Sequence, residues 1–391
     1  MRAEDFTDDS PGRLVPAATF DGKYWPAFVP DPLLPAIVWN DDMVRLLSQA
    51  DQALSRLAGR SASLPNPSLL SQPMAVREAV ASSSIEGTTS SIAEVYQFRL
   101  DGVARDTDDA REVDNHVKAL QFGLQRLKDL PVSRRLICEV HRELMTGVRG
   151  GDRRPGKFRT RQVIIGSESV GIEHARYVPP PPDEMMAALN ELEGFLHSDP
   201  GIPLLVQLAL VHYQFEAIHP FEDGNGRMGR LLMTLLLCER GYLTHPLLYL
   251  SNYLAAYRQE YMDLLLGISL NGEWNQWVQF FLTAVARVAT DALGRVERLL
   301  ALRDSYLARV QTQQMAGALL RIIDDLFDFP LTSAPAIQLM LDVSNQTAQG
   351  YIRRLEKAGI LRRYGTGAHP RVYLSKEILD VIAEDPDFRD F

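Results

Sequence analysis

The chain has 391 residues, with 41 Lys or Arg against 50 Asp or Glu, so its formal net charge is 41 − 50 = −9. That length suits two or three domains and a core that needs no disulfide or metal staple, and two cysteines, Cys138 and Cys238, exclude a disulfide framework. The acidic balance argues against a general nucleic-acid binder, and 46% apolar with 23% charged residues excludes a disordered chain.

Residues 1–39 show no steady hydrophobic period, and Pro11, Pro16, Pro26, Pro30, Pro32 and Pro35 deny helix to most of them. An extended arm on the surface of the fold is expected. The start, Met1-Arg2-Ala3-Glu4-Asp5, is not followed by the apolar run of a signal peptide. The longest apolar runs, 204–211 and 231–238, are too short to span a bilayer. The expectation is a soluble, cytoplasmic protein with reduced thiols and no membrane partner.

From Asn40 the period becomes helical, with Val44, Leu47, Ala50 and Leu54 on one stripe. Residues 65–73 interrupt it with prolines, and a further helix carries Met74, Val76, Val80 and Ala81. After the charged stretch 101–114, Val113, Val117, Leu120 and Leu124 mark a helix that Pro131 closes. Ser133 is placed as the N-cap of the next, which carries Leu136, Ile137, Val140 and Leu144. Residues 40–130 therefore read as one helical region.

A unit over 131–313 follows. Residues 149–151 and Pro155-Gly156 are loop punctuation. Gln162, Val163, Ile164 and Ile165, then Tyr177 and Val178 ahead of Pro179, read as a small β-hairpin. Helices are expected from about Asp183, from Leu204 and after Gly226, and one or two long ones over 274–310. The last unit, 314–391, reads as helix, short helix, turn, a third helix carrying Ala348, Ile352 and Leu355 and ended by Gly359, then β-runs at 360–364 and 371–374 around 365–367. That is the layout of a winged helix-turn-helix. The fold class is mainly α, with one small β-hairpin in the core unit.

The informative segment is His219-Pro220-Phe221-Glu222-Asp223-Gly224-Asn225-Gly226-Arg227-Met228-Gly229-Arg230. A polar loop here feeds the start of an apolar helix. The first N–H groups of a helix lack internal partners and sit at the positive end of its dipole, a natural anion site. Gly224 and Gly226 let the backbone approach an anion closely. Arg227 and Arg230 lie one turn apart, and guanidinium geometry fits phosphate oxygens. Asp223 is a hard oxygen ligand where Mg²⁺ is held beside phosphates. His219 can accept a proton near neutral pH. A base, a carboxylate, an anion nest and two arginines within twelve residues describe phosphoryl or nucleotidyl transfer. Isolated His116, His141 and His212 lack the ligand count of a transition-metal site and read as structural.

This segment resembles the motif of the Fic family, HxFx(D/E)GNGRxxR, at every specified position. The resemblance implies the Fic fold and a protein adenylyltransferase, which moves AMP from ATP to a Tyr, Thr or Ser hydroxyl of a target protein. It implies His219 as general base, Asp223 as Mg²⁺ ligand, Gly224, Asn225 and Gly226 as the anion-binding turn, and Arg227 and Arg230 as phosphate ligands. Arg153-Arg154-Pro155-Gly156-Lys157-Phe158-Arg159 is similar to the family's PGxFR stretch. Gln162, Val163, Ile164, Ile165, Tyr177 and Val178 resemble its flap, which pairs with target backbone. The region of Tyr253 and Tyr257 is where the family suggests an adenosine pocket.

Ser82-Ser83-Ser84-Ile85-Glu86-Gly87 resembles the family's inhibitory motif, (S/T)xxxE(G/N). The resemblance implies that Glu86, with Ser82 one turn behind it, pairs with Arg230 and competes with the ATP γ-phosphate. Two other activities fit the same residues. One is a DNA-binding regulator whose core senses nucleotide; the other is the reverse hydrolysis that removes AMP. The tail carries Arg353, Arg354, Lys357, Arg362, Arg363 and Arg371 against Glu356, a local surplus of about +5. With Asn345, Gln346, Gln349 and Arg353 on the third helix of the tail, DNA is one partner; a second copy of the chain, in a homodimer, or the target protein is the alternative.

Overall fold

A computed structural model describes residues 1–18, 24–62, 68–101, 108–148, 153–166, 172–310, 316–364, 371–386 and 388. The loop expected at 149–151 and the turn at 365–367 lie outside the described residues.

The first segment departs from a bare surface arm. Strands β1 (Gly12–Ala18) and β2 (Tyr24–Pro30) pair antiparallel, with Gly12 opposite Pro30 and Pro16 opposite Pro26. Proline is tolerated because a two-stranded ribbon has only edge strands, where an N–H can be absent from the ladder. The ribbon is anchored. The Phe28 N–H donates to the Val178 carbonyl at 2.9 Å. Ala17 and Ala27 pack with Ala175 and Val178 in a small apolar cluster, and Phe28 joins the main core.

The helices follow in the expected order: α1 (Asp41–Ala62), α2 (Ser68–Ile85), α3 (Ile92–Asp101), α4 (Asp108–Arg126), α5 (Arg134–Met145), α6 (Pro182–Leu196), α7 (Leu204–Ile218) and α8 (Asn225–Glu239). After them come α9 (Ser251–Ala256), α10 (Arg258–Asn271) and α11 (Trp274–Val310). Ser133 caps α5 as expected, accepting from the Leu136 N–H. Two details differ. Helix α1 buries Met43, Ala50, Leu54 and Leu57 while Val44 is 54% exposed, so the stripe that meets α11 keeps Ala50 and Leu54 and takes Met43 in place of Val44. Helix α2 starts at Ser68 and contains Pro73 as its sixth residue, where the missing N–H leaves one helical hydrogen bond unmade. Helices α7 and α8 are apolar nearly all round and lie buried at the centre, which positions the loop between them.

The expected hairpin over 162–178 is reduced, among the described residues, to one bridge. Ile165 pairs with Tyr177, and no regular strand forms on either side. The segment is tied down instead by side chains, with the Gln162 amide donating to the Pro179 carbonyl at 2.7 Å.

The C-terminal unit comprises α12 (Ala316–Asp328), β3 (Leu331–Ser333), α13 (Ala334–Leu341), α14 (Asn345–Lys357), β4 (Arg362–Tyr364), β5 (Val372–Leu374) and α15 (Lys376–Ala383). Its strands form an antiparallel sheet in the order β3-β5-β4. Strand β3 and helix α15 were not legible in the hydrophobic pattern. The unit shares one continuous core with the rest of the chain: α12 packs on α2 and α11, and Phe329 meets Tyr96 edge-on at 5.1 Å. Asn345, Gln346, Gln349 and Arg353 form an exposed row on α14. Both cysteines are free, and burial raises their thiols to about 11 for Cys138 and about 12 for Cys238. No helix among the described residues is long and apolar enough to cross a membrane.

Candidate active site

Helix α7 ends at Ile218, and His219 takes the left-handed conformation at φ 50°, turning the chain out of the helix. Gly224, at φ 75°, turns it into α8. The loop between them is closed by Asn225, whose carboxamide accepts from the Phe221 N–H at 2.8 Å and donates to the Phe221 carbonyl at 2.9 Å. The Asn225 side chain is thus committed to the loop. Its contribution to an anion site is its backbone N–H, with those of Gly226 and Arg227. No side chain caps this end of α8, and the first N–H to find a helical partner is that of Met228.

Two buried residues brace the loop. Arg159 is 1% exposed and donates to the carbonyls of His219 (2.8 Å), Pro180 (2.5 Å) and Arg161 (3.1 Å). Its own N–H donates to the Pro220 carbonyl at 2.9 Å. His141 accepts the Gly156 N–H on Nδ1 at 2.9 Å, so its Nε2 carries the proton and donates to the Asp223 carbonyl at 2.9 Å. Its ring stacks on Phe221 at 3.6 Å, and burial holds its pKa down at about 4. The structural reading of His141 fits; its link between the loop and Gly156 has no sequence signature.

The His219 Nδ1 faces the Glu216 carbonyl at 3.3 Å, which leaves Nε2 as the acceptor. Burial, and then the positive charge of Arg159, push the His219 imidazole down to about 4, so it is neutral at physiological pH. Asp223 keeps a side chain that is 33% exposed. Its Oδ1 accepts from the Gly224 N–H at 2.7 Å and lies 3.8 Å from Arg227.

Glu86 stands just beyond the end of α2 and reaches both motif arginines. Its Oε1 is 2.8 Å from Arg230 Nη2 and its Oε2 is 2.9 Å from Arg227 Nε. Arg230 also donates to the Ser82 hydroxyl at 2.8 Å and to the Ser82 carbonyl at 2.9 Å. Burial alone would raise the Glu86 carboxyl, but Arg227 and Arg230 outweigh it and hold the group below its ordinary value. A Cβ at Gly226 would lie 2.7 Å from Glu86 Oε1, so glycine there admits a carboxylate over the α8 N-terminus.

The sequence reading placed Glu86 on Arg230 alone. It missed the second contact, to Arg227, and missed Glu112, which lies 2.9 Å from Arg227 Nη1 and accepts from the Thr88 hydroxyl at 2.9 Å. It also missed Glu216, a carboxyl that burial raises to about 7 despite the attraction of Arg230.

These groups line one cavity of about 320 Å³. Glu86, Glu216, His219, Asp223, Gly224 and Arg230 supply its polar wall, and Ile164, Ile165, Met262, Leu265 and Leu266 its apolar wall. Tyr253 and Tyr257 are not part of it. They stack on each other at 4.6 Å, and Tyr253 packs against Phe280 and Phe388, because α9 turns this aromatic pair under the C-terminal segment. The cavity wall beside His219 is formed instead by α10 and the 164–165 segment. No cluster of three metal-ligating side chains occurs among the described residues.

Sequence models of the Fic/DOC family N-terminal segment and of the Fic/DOC family match residues 44–125 and 131–237. Protein adenylyltransferase Fic of Aedes aegypti is 29% identical over 211 residues, which is 52% of this chain and 38% of that protein. The Drosophila virilis protein of the same name is 32% identical over 167 residues, 40% of this chain and 32% of its own length. The chain thus spans little more than a third of the curated relatives it matches. Among solved structures, a Fic family protein from Desulfovibrio desulfuricans superposes with a TM-score of 0.56 at 19% identity, covering 88% of this chain and 98% of that one. Fic-1 of C. elegans gives 0.50 at 22% identity, covering 67% and 74%. The fold is shared with both, and the segments 44–125 and 131–237, which include Glu86, His219 and the two motif arginines, belong to the Fic/DOC family.

Proposed function

We propose that the chain is a protein adenylyltransferase that transfers AMP from ATP to a hydroxyl side chain of a target protein and is held inactive by Glu86. The observation that carries this reading is that His219, the uncapped N-terminus of α8 and Arg230 share one cavity with Glu86.

The cavity's apolar wall takes the adenosine. The free N–H groups of α8 with Arg227 and Arg230 take the polyphosphate. The target oxygen attacks the α-phosphorus of ATP, its proton passes to His219 Nε2, and pyrophosphate leaves. A neutral imidazole, with its one proton on Nδ1 and Nε2 unprotonated at pH 7, can receive it. Asp223 is an exposed single carboxylate beside the phosphate site, a donor set that fits Mg²⁺ completed by substrate oxygens. When bound there, Mg²⁺ neutralises phosphate charge. Residues 162–165, with Tyr177 and Val178, hold the target backbone as an added strand.

Inhibition follows from competition. A carboxylate on Arg230 and over the α8 N-terminus occupies the place of phosphate oxygens, so ATP is seated with its α-phosphate out of line for attack. The test is incubation of wild-type and Glu86→Gly protein with α-labelled ATP, Mg²⁺ and cell lysate. Label appearing on protein, and more of it with the variant, supports the reading. No label with either form removes it. Release of AMP from a pre-modified target would favour the reverse reaction.

A second reading, a DNA-binding regulator, is supported by the exposed row Asn345, Gln346, Gln349 and Arg353 on α14 beside exposed Arg362 and Arg363. A gel shift that weakens steeply with salt would favour it, and none at low salt would leave α14 as a protein-docking or dimer surface.

A further inference from the structure

A second cavity, of about 620 Å³, lies behind α2, walled by that helix, the start of α3, α9, α15 and the segment after it. Arg77, Val80, Ala81 and Ser84 recur on one face of α2, and Ser82 and Glu86 lie on the other side of the same helix. We propose that this cavity binds a small amphipathic acid, its carboxylate or phosphate group held at Arg77 and Asn252 and its apolar body against Ile92, Leu379 and Phe388.

The unpaired donors at the cavity's floor point to an acceptor-rich ligand. Arg77 and Arg295 are both buried, at 5% and 0% exposure, and both approach the Asp291 carboxylate, with Glu78 and Asp385 as further acidic neighbours of Arg77. Both oxygens of Asp291 accept from Arg295 at 3.0 Å. Arg77 is left with a 3.7 Å approach to one of them, too long for a hydrogen bond. Its Nη2 is buried with no partner among the described residues, and so is the Asn252 Nδ2. Leaving a buried charged donor unpaired is costly, so two orphan donors beside an open cavity call for an acceptor-rich group. Burial, then the repulsion of Arg295, lowers Arg77 to about 10 against the opposing attraction of Asp291, Glu78 and Asp385. The one acid on the cavity wall, Asp385, is exposed.

The walls fix the rest of the ligand. Ala81, Ser91, Ala93, Ala255, Ala256 and Ala383 are small, which leaves room, and Ile92, Leu379 and Phe388 offer apolar surface. The volume is in the range of small-molecule sites.

The test is calorimetric titration of the full chain with octanoate, octyl phosphate, octan-1-ol and inorganic phosphate, with and without ATP. At least one of the two acids should bind ten-fold or more tighter than octan-1-ol and than inorganic phosphate, without competition from ATP, and the tighter acid identifies the head group. Arg77→Met should weaken that binding at least ten-fold. Ala255→Phe, which fills the cavity and leaves the arginine in place, should do the same if Arg77→Met fails to fold. Octan-1-ol binding as well as the acids, unchanged binding in Ala255→Phe, or no binding of either acid would each overturn the proposal.

Discussion

The Glu86 carboxylate lies 2.8 Å from Arg230 and 2.9 Å from Arg227, bridging the two arginines that flank the open N-terminus of α8. A carboxylate there satisfies the same donors that a phosphate would. Removing it frees Arg230 and clears the space above Gly226. Arg230 then keeps its bonds to Ser82, and Arg227 keeps Glu112, so neither loses all its partners. The substitution is mild for the backbone, since Glu86 stands beyond the last residue of α2 and next to a glycine at φ 101°. Glu86→Gly should therefore raise AMP labelling by at least about ten-fold, a barrier change on the order of 1.4 kcal/mol. The check is the initial rate with α-labelled ATP; equal rates would remove Glu86 as an inhibitor.

His219→Ala, made in the Glu86→Gly background, separates chemistry from binding. General-base contributions are on the order of 10²–10⁴-fold, so labelling should fall by that range. ATP affinity should change less than about three-fold, because the phosphate donors are α8 N–H groups and arginines. Calorimetric titration with ATP and labelling of the same preparation give both numbers. Transfer retained at a tenth or more of the parent rate would exclude His219 as the base.

The pH profile tests the protonation state. An ordinary histidine base would lose activity below about pH 6.5. Here burial and Arg159 hold His219 at about 4. In the Glu86→Gly form, kcat/KM should stay level from pH 7 down to about 5 and fall only below that, since this parameter reports the free enzyme. A midpoint between 6 and 7 would place the acting base elsewhere.

The parts of this arrangement differ in how far they can be read from the chain. The twelve residues from His219 to Arg230 are contiguous, so their geometry is local: a helix end, a turn and a helix start. The six residues from Ser82 to Gly87 are also local, but their partner is 144 positions away, and only the resemblance linked Glu86 to Arg230. Glu112 and His141 act through contacts across the fold, with single side chains that carry no period or spacing, and Arg159 is marked only as the end of the PGxFR-like stretch, without its partners. The family resemblance alone suggests an adenosine pocket at Tyr253 and Tyr257, and tertiary packing sets Tyr253 against Phe388, outside the cavity that holds His219. The N-terminal ribbon was missed because its prolines obscure strand alternation, and of the expected flap the described residues show the Ile165–Tyr177 bridge.

Arg159 should prove to be a positioning residue. It supplies donors to the His219, Pro180 and Arg161 carbonyls while His219 sits in the left-handed region, where a non-glycine residue is strained by about 1–3 kcal/mol. Arg159→Met leaves those carbonyls short of a donor, at about 1–3 kcal/mol for each that finds no water. Urea unfolding should show a loss of several kcal/mol. In the Glu86→Gly background the folded fraction should also lose kcat at least about ten-fold with KM for ATP little changed. A stability loss with normal kcat would make Arg159 a scaffold residue only.

Glu216 makes a prediction about stability and pH. Its carboxyl titrates at about 7 in the folded chain against an ordinary 4.5, because burial opposes its charge more than Arg230 favours it. A Cβ at Gly229 would collide with its Oε1, so the group fills the notch left by that glycine, and Oε1 has no hydrogen-bond partner among the described residues. Between pH 4.5 and 7 the folded state holds a proton that the unfolded state has released. Stability therefore falls as pH rises through that window, by on the order of 3 kcal/mol, and stays reduced above it. Glu216→Gln keeps the shape and removes the titration. The variant should match the parent near pH 4.5 and exceed it by about 2 kcal/mol at pH 8, read from urea midpoints at both pH values with unchanged slope. Equal midpoints at pH 8 would mean that Arg230 neutralises Glu216 fully, leaving Glu86 and Glu216 as interchangeable partners of one guanidinium.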